Sequence, residues 1–203
     1  MRFSAVTLSG PAELPAFYGD VLGLPLDGDA IRIGETLLRF APADGEPFYH
    51  FALLVPGDRF DAARAWAQER VELLGDVFDA AAWDAQAVYF HDPAGNIVEL
   101  IAHHELGRNR RSGGFGADEL AGFSELGVVG DPAELLPRLE TVGLELWDGT
   151  IDEPGRLAFV GEQGRTLILA PAGRGWMPTG RPAEPHPAGL VLESAGARIR
   201  LDF

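Results

Sequence analysis

The chain has 203 residues, 46% of them hydrophobic and 9% aromatic, enough apolar mass for one domain or a compact pair and far from a disordered composition. Its basic residues are all arginine, 16 against 31 acidic residues, and the net charge of −15 argues against nucleic acid or an anionic membrane surface as partner. With no cysteine, disulfides, thiolate nucleophiles, zinc fingers and iron–sulfur clusters are excluded, and a bound metal has only histidine and carboxylate ligands to use.

The opening residues, MRFSAVTLSG, lack the apolar core and cleavage site of a secretory signal, and no run approaches roughly 18 apolar residues, so the expected location is the cytoplasm. Residues 3–8 are apolar and bounded by Gly and Pro, as a strand should be. A helix follows, because Leu14, Phe17, Tyr18, Val21 and Leu22 form one apolar stripe and Gly23 stops it. Pro15 sits awkwardly in that helix and marks where regular helix begins. Three short strands close the unit, with a turn at Asp27 and Gly28.

The same order recurs. A strand over 48–55 leads to a helix over 58–74, with Phe60, Ala63, Ala67, Val71 and Leu74 on one face, and then to strands near 77, over 87–91 and over 96–102. A Gly- and Arg-rich stretch within 106–121 reads as a linker, dividing the chain into domains at 1–105 and 122–203. Beyond it, a strand over 123–129 precedes a helix with Asp131 as N-cap, Pro132 in the first turn and Leu135, Leu136, Leu139 and Val142 as its stripe, with Pro137 inside it. Three strands follow, one turn lying at 162–164; after Pro187 only two strands fit, 188–193 and 197–203, with no room for a helix.

Residues 4–26, SAVTLSGPAELPAFYGDVLGLPL, echo 124–146, SELGVVGDPAELLPRLETVGLEL, and 31–42 parallel 157–171 after an insertion. The economical reading is an internal repeat of a βαβββ unit in an α+β protein, with a truncated fourth unit.

Two segments, FYGDVLGLPL at 17–26 and YFHDPAGNIVELIA at 89–102, resemble the first-helix and last-strand signatures of the vicinal oxygen chelate superfamily, which holds glyoxalases, extradiol dioxygenases and bleomycin-resistance-type proteins. The resemblance covers 1–105 well and 122–203 mainly through the repeat. It implies βαβββ modules whose strands curl into a cup around a small-molecule site. It also implies a divalent metal such as Fe, Mn, Zn or Ni, no nucleotide cofactor, and a cup built within one chain or across a homodimer. The family's last-strand glutamate falls on Glu99 and the histidine of its second module on His50, within His50, Phe51, Ala52 and Leu53. Its first-strand histidine falls on Ala5, so that ligand is missing. Arg39 stands near the other carboxylate position, and a cation there opposes metal.

The residues themselves support part of this. Glu99 has apolar neighbours on both strand faces, and a buried carboxylate needs a metal, Arg39 or a raised pKa to answer for it; the plainer alternative is a strand-end carboxylate that reaches water. His50 is either a ligand or an ordinary core histidine. A non-haem iron triad needs two histidines and a carboxylate, of which only one pair is visible here. His91, His103 and His104 offer a third ligand, against the simpler view of turn and strand-end chemistry. Glu125 aligns with the first-strand position of the second half and would complete a ligand set only if the halves exchanged modules; against this, Ile168 matches Arg39 in the repeat and the last strand, Arg198 to Leu201, carries arginine where the first half has Glu99, so the second half reads as metal-free. Tyr18, Tyr49, Trp83 and Tyr89 suit either stacking on a flat ligand or ordinary core packing, and the loop at Trp176 covers an apolar surface, the cup mouth or simple packing.

Three functions follow as expectations: a divalent-metal enzyme of extradiol-dioxygenase or glyoxalase-like type acting on a vicinal-oxygen substrate through His50 and Glu99; a metal-free drug-sequestering protein in which Arg39 neutralises Glu99; or a structural module.

Overall fold

The computed structural model describes residues 1–194 and 196–203. The first unit comprises β1 (Arg2–Ser9), α1 (Leu14–Ala16) running on into a π-turn over Phe17–Val21, β2 (Leu26–Asp27), β3 (Ala30–Ile33) and β4 (Thr36–Ala41). The second comprises β5 (His50–Leu54), α2 (Phe60–Gln68), β6 (Phe78–Ala80), a 3₁₀ turn at Ala81–Trp83, β7 (Ala85–His91) and β8 (Ile97–His103). After a 3₁₀ turn at Ala117–Glu119 come β9 (Gly122–Val129), α3 (Pro132–Glu140), β10 (Leu146–Gly149), β11 (Ala158–Glu162) and β12 (Arg165–Ala170). A short hairpin, β13 (Gly175–Trp176) and β14 (Arg181–Pro182), leads to β15 (Ala188–Ser194) and β16 (Ala197–Asp202). The order βαβββ thus runs three times and ends in two strands without a helix, in an α+β architecture with curled sheets.

Local chemistry explains the helices. Pro15 lies in the first turn of α1, where a missing N–H costs nothing, and Gly23 ends the segment at φ +71°, so regular helix is far shorter than the apolar stripe suggests. α2 stops at Gln68 rather than near residue 74, because the Leu74 amide donates to the Tyr89 carbonyl at 2.7 Å and Leu73 bridges Phe90 as an extension of the sheet. In α3, Asp131 Oδ1 accepts the Ala133 amide at 2.9 Å, the expected N-cap, and Pro137 is accommodated inside the helix.

The sheets divide the units in an unexpected way. One, in the order β16-β15-β1-β4-β3-β2, joins the first unit to the last two strands. The other, β10-β11-β12-β9-β5-β8-β7-β6, joins the second unit to the third through the antiparallel pair β5–β9. Each sheet therefore combines strands from before and after residues 106–121, and the cup is not the product of residues 1–105 alone. The pairing covers the edges that β1 and β5 would otherwise expose, which is its physical reason.

The 106–121 segment is held down. The buried Arg59 guanidinium, one residue ahead of α2, donates to Glu119 Oε2 at 2.9 Å and to the carbonyls of Arg111, Gly113 and Gly114 at 3.2, 3.1 and 2.9 Å. Asp58 accepts the amides of Asn109 and Arg110 at 3.2 and 2.9 Å.

Phe51, Leu53, Val98, Leu100, Phe123 and Leu126 pack beneath α2 and α3 in a core continuous with the smaller sheet. The opposite, concave face of the large sheet carries a second apolar cluster that includes Ala52, Ala87, Tyr89, Ile101 and Ile168. No helix among the described residues is long and apolar enough to cross a membrane.

Candidate metal centre

Strand alternation puts the polar residues on the concave face. On β5, Phe51 and Leu53 enter the main core, so His50 and Ala52 point the other way; on β8, Val98 and Leu100 do the same and turn Glu99 inward. The register then brings three strands together. Ala52 pairs with Glu99 in the parallel ladder β5–β8 and with Glu125 in the antiparallel ladder β5–β9.

His50, Glu99 and Glu125 each offer a ligand atom within 4.8 Å of the others, and His50 Nε2 lies 3.3 Å from Glu99 Oε2. The three are only 5%, 4% and 3% exposed. Burial pushes the Glu99 carboxyl up to about 8; burial and then the Glu99 charge push Glu125 up to about 8. Burial pulls the imidazole of His50 down to about 4, the Glu125 charge opposing it, so the ring is neutral at physiological pH with a lone pair to give. Tyr89, paired with Glu99 across β7–β8, has its phenol raised far above the ordinary range by burial and by both carboxylates.

Among the described residues no arginine pairs with Glu99 or Glu125, and His50 Nδ1 is buried without a hydrogen-bond partner. Two carboxyls buried beside a neutral imidazole cannot both stay ionised in a metal-free interior, and their raised pKa values record that cost. A divalent cation would take the place of those protons, and one nitrogen with two carboxylates is a borderline-hard donor set suited to Mn, Fe or Zn. The residues present fit such an ion.

The structure brings His50, Glu99 and Tyr89 together and sends the other sequence candidates elsewhere. Arg39 lies on β4 in the smaller sheet, beside Thr7 of β1, with its Nε 3.4 Å from Asp29 Oδ1, so it cannot neutralise Glu99. The drug-sequestering expectation loses that pairing. Tyr18 is a core residue of the first unit, stacked on Phe40 and donating to Asp92 Oδ2 at 2.7 Å. Tyr49 points toward the smaller sheet: its hydroxyl donates to the Pro187 carbonyl at 2.7 Å and accepts the Ser9 amide at 3.0 Å. Trp83 stands at the edge of the concave cluster, where Nε1 donates to Asp148 Oδ2 at 2.6 Å and the ring meets Phe159 edge-on.

The donor completing the group is Glu125, on the half of the chain expected to be free of ligands; none of His91, His103 and His104 belongs to it. His91 Nδ1 lies 3.3 Å from the Asn96 carbonyl, His104 Nδ1 lies 3.0 Å from Asp84, and His103 is buried with Nδ1 3.3 Å from Gln163. The signal for Glu125 was its alignment with the first-strand position; what sequence lacked was the pairing of β5 with β9. β12 adds no histidine or carboxylate; its inward positions are Ile168, paired with Gly127, and Thr166, paired with Glu125, whose buried Oγ1 has no hydrogen-bond partner.

Two aromatic rings lie by His50: Tyr89, with centroids 6.2 Å apart, and Trp176. Trp176, on β13, stacks on His50 with centroids 5.0 Å apart and planes at 29°. It sits against Gly127, where a Cβ would come within 2.8 Å of Trp176 Cη2.

No protein-family model matches the sequence, and no curated protein matches it. Solved structures match by fold. A protein from Bacillus subtilis subsp. subtilis str. 168, described as a "putative dioxygenase", superposes with a TM-score of 0.57 at 20% identity over 84% of this chain and 63% of its own. Glyoxalase I from Zea mays superposes with a TM-score of 0.50 at 16% identity over 84% of this chain and 66% of its own. This chain therefore spans less than two thirds of either matched chain's length, and at such identities the likeness establishes the fold.

Proposed function

We propose that this chain, which has the fold of the vicinal oxygen chelate proteins, is a divalent-metal protein whose centre is His50, Glu99 and Glu125, and that it acts on a small ligand bearing adjacent oxygen atoms. The observation that carries this reading is the convergence of one imidazole and two buried carboxylates, from β5, β8 and β9, with no arginine ion-paired to either carboxylate among the described residues. A bound dication would act as a Lewis acid toward the ligand's oxygens.

The chain's own residues supply the rest. Neutral His50 donates its ring nitrogen, the two glutamates provide compensating charge, and the Tyr89 phenol stays protonated as a hydrogen-bond donor toward Glu99. These three donors, to which β12 adds no histidine or carboxylate, would leave room on a bound ion for ligand oxygens. Catalysis of glyoxalase-like or extradiol-dioxygenase type on a hydroxy-ketone or a catechol is the activity this supports. The single-histidine, two-carboxylate set departs from the two-histidine arrangement of non-haem iron oxygenases, and that favours the glyoxalase-like branch.

The test is metal titration. Chelator-treated protein titrated with Mn²⁺, Zn²⁺, Fe²⁺ and Ni²⁺ should take up one equivalent of at least one ion, and Glu125→Gln and His50→Ala should each weaken it at least tenfold. Parent protein that takes up none of the four, or variants that bind as tightly as the parent, would overturn the reading.

A further inference from the structure

We infer that Trp176 occupies the ligand slot of the cup, so that the molecule this chain takes in is a flat ring of about indole size that exchanges places with the Trp176 side chain. The inference rests on the reading of His50, Glu99 and Glu125 as the centre, and concerns what lies on top of it.

Four observations carry it. The three donors are almost wholly buried, and of the principal cavities among the described residues none is lined by any of them. What covers His50 is the Trp176 ring, in a stacked geometry that a planar aromatic ligand would also adopt. Small residues stand beside the ring: Ala52 follows His50 on the same face of β5, and Gly127 has no side chain where the far edge of the indole rests. Removing the ring would open a space against the His50 ring and Gly127.

The fourth observation is how the ring is attached. β13 and β14 form a sheet of their own, with two residue pairs, Gly175 with Pro182 and Trp176 with Arg181, and no ladder to either large sheet. The hairpin closes through the Gly180 amide to the Trp176 carbonyl at 2.7 Å and the Ala183 amide to the Arg174 carbonyl at 2.8 Å. Besides Trp176 and Ala183, which are buried in the apolar cluster, it is held by the Arg181 guanidinium, which donates to the Gly95 carbonyl at 3.2 Å and lies over the Phe48 ring at 3.3 Å. A two-rung hairpin outside the sheets can lift without breaking a strand pair, as core tryptophans on strands cannot. An aromatic ligand in the slot would stack on the His50 ring as Trp176 does, a contact a branched aliphatic ligand would lack.

Two measurements on chelator-treated protein test this without metal. In Trp176→Ala, with folding checked by circular dichroism, indole titrated calorimetrically should bind at least tenfold more tightly than to the parent, and Trp176→Phe should fall between. In the parent, the amides of residues 173–183 should exchange with deuterium at least a hundredfold faster than those of β5 and β8, because the hairpin opens locally. A folded Trp176→Ala protein that gains no indole binding overturns the slot. Hairpin amides that exchange only together with β5 and β8 overturn the exchange of places, and this second result is decisive even if the alanine variant fails to fold. Failure to bind metal would sink the metal reading while leaving both measurements to be judged on their own.

Discussion

Glu99 and Glu125 are register partners of the same residue, Ala52, one on each side of β5. Neighbouring strands lie about 4.8 Å apart, so the two carboxylates reach each other only by leaning across the small methyl group between them. The geometry that sets their spacing is therefore a property of position 52 as much as of the two acids.

A larger side chain at that position should wedge the carboxylates apart. Ala52→Leu is expected to lose metal affinity at least tenfold while the fold survives at a cost of about 1–3 kcal/mol from overpacking. Denaturant unfolding and metal titration on the same preparation separate the two effects; undiminished affinity would show that the spacing is set elsewhere.

The charge balance gives a pH dependence with a definite sign. Both glutamates have folded pKa values raised above their unfolded ones, to about 8, so the metal-free folded state binds protons more tightly than the unfolded chain. No stability is lost to them below the ordinary carboxylate range, and stability falls as pH rises from there toward about 8. Metal-free protein should accordingly melt at a lower temperature at pH 8 than at pH 6, and a saturating divalent ion should raise the melting temperature more at pH 8, since it competes with fewer protons. At a hundredfold excess over Kd the ion contributes about 2.7 kcal/mol, or roughly 5–11 °C for a chain of this size.

Arg59 and Glu119 form a buried ion pair that ties residues 109–119 to the start of α2. Glu119 is desolvated, which alone would raise its pKa, but the hydrogen bonds from Arg59 and Asn109 outweigh this and hold its carboxyl below the ordinary range. Removing one partner strands the other, so Arg59→Ala should cost about 3–5 kcal/mol. Hydrogen exchange across 109–119 should accelerate in that variant, and unchanged protection would mean that the carbonyl contacts are dispensable.

Tyr18 serves as a control outside the centre. Its hydroxyl donates to Asp92, whose other oxygen accepts the Ala94 and Asn96 amides in the turn before β8. Asp92 Oδ2 keeps the Asn96 side-chain amide as a donor at 2.8 Å, so Tyr18→Phe should cost only about 0.5–1.5 kcal/mol and leave metal affinity at the parent value. A loss of affinity there would extend the centre beyond its three donors.

Much of this was legible in the residues. Helix stripes, turn pairs and the echo between 4–26 and 124–146 place three βαβββ runs, because periodicity and Gly/Pro punctuation are local properties. His50 and Glu99 stood out because each lies in an apolar strand where a polar side chain needs a reason. Helix lengths were overestimated at α1 and α2, where Pro15 and the Leu74 amide override the apolar stripe.

What the chain order could not determine is which strand lies beside which. β1 pairs with β15, nearly the whole chain away, and β5 with β9, across the segment that reads as a linker. Those pairings decide that Glu125 joins the centre and that Arg39 is confined to the other sheet. A strand's own sequence fixes which side chains share a face, since that depends on a two-residue period. Its neighbour is chosen by how the free edges and apolar faces of all the units are covered at once, and that is a property of the folded whole.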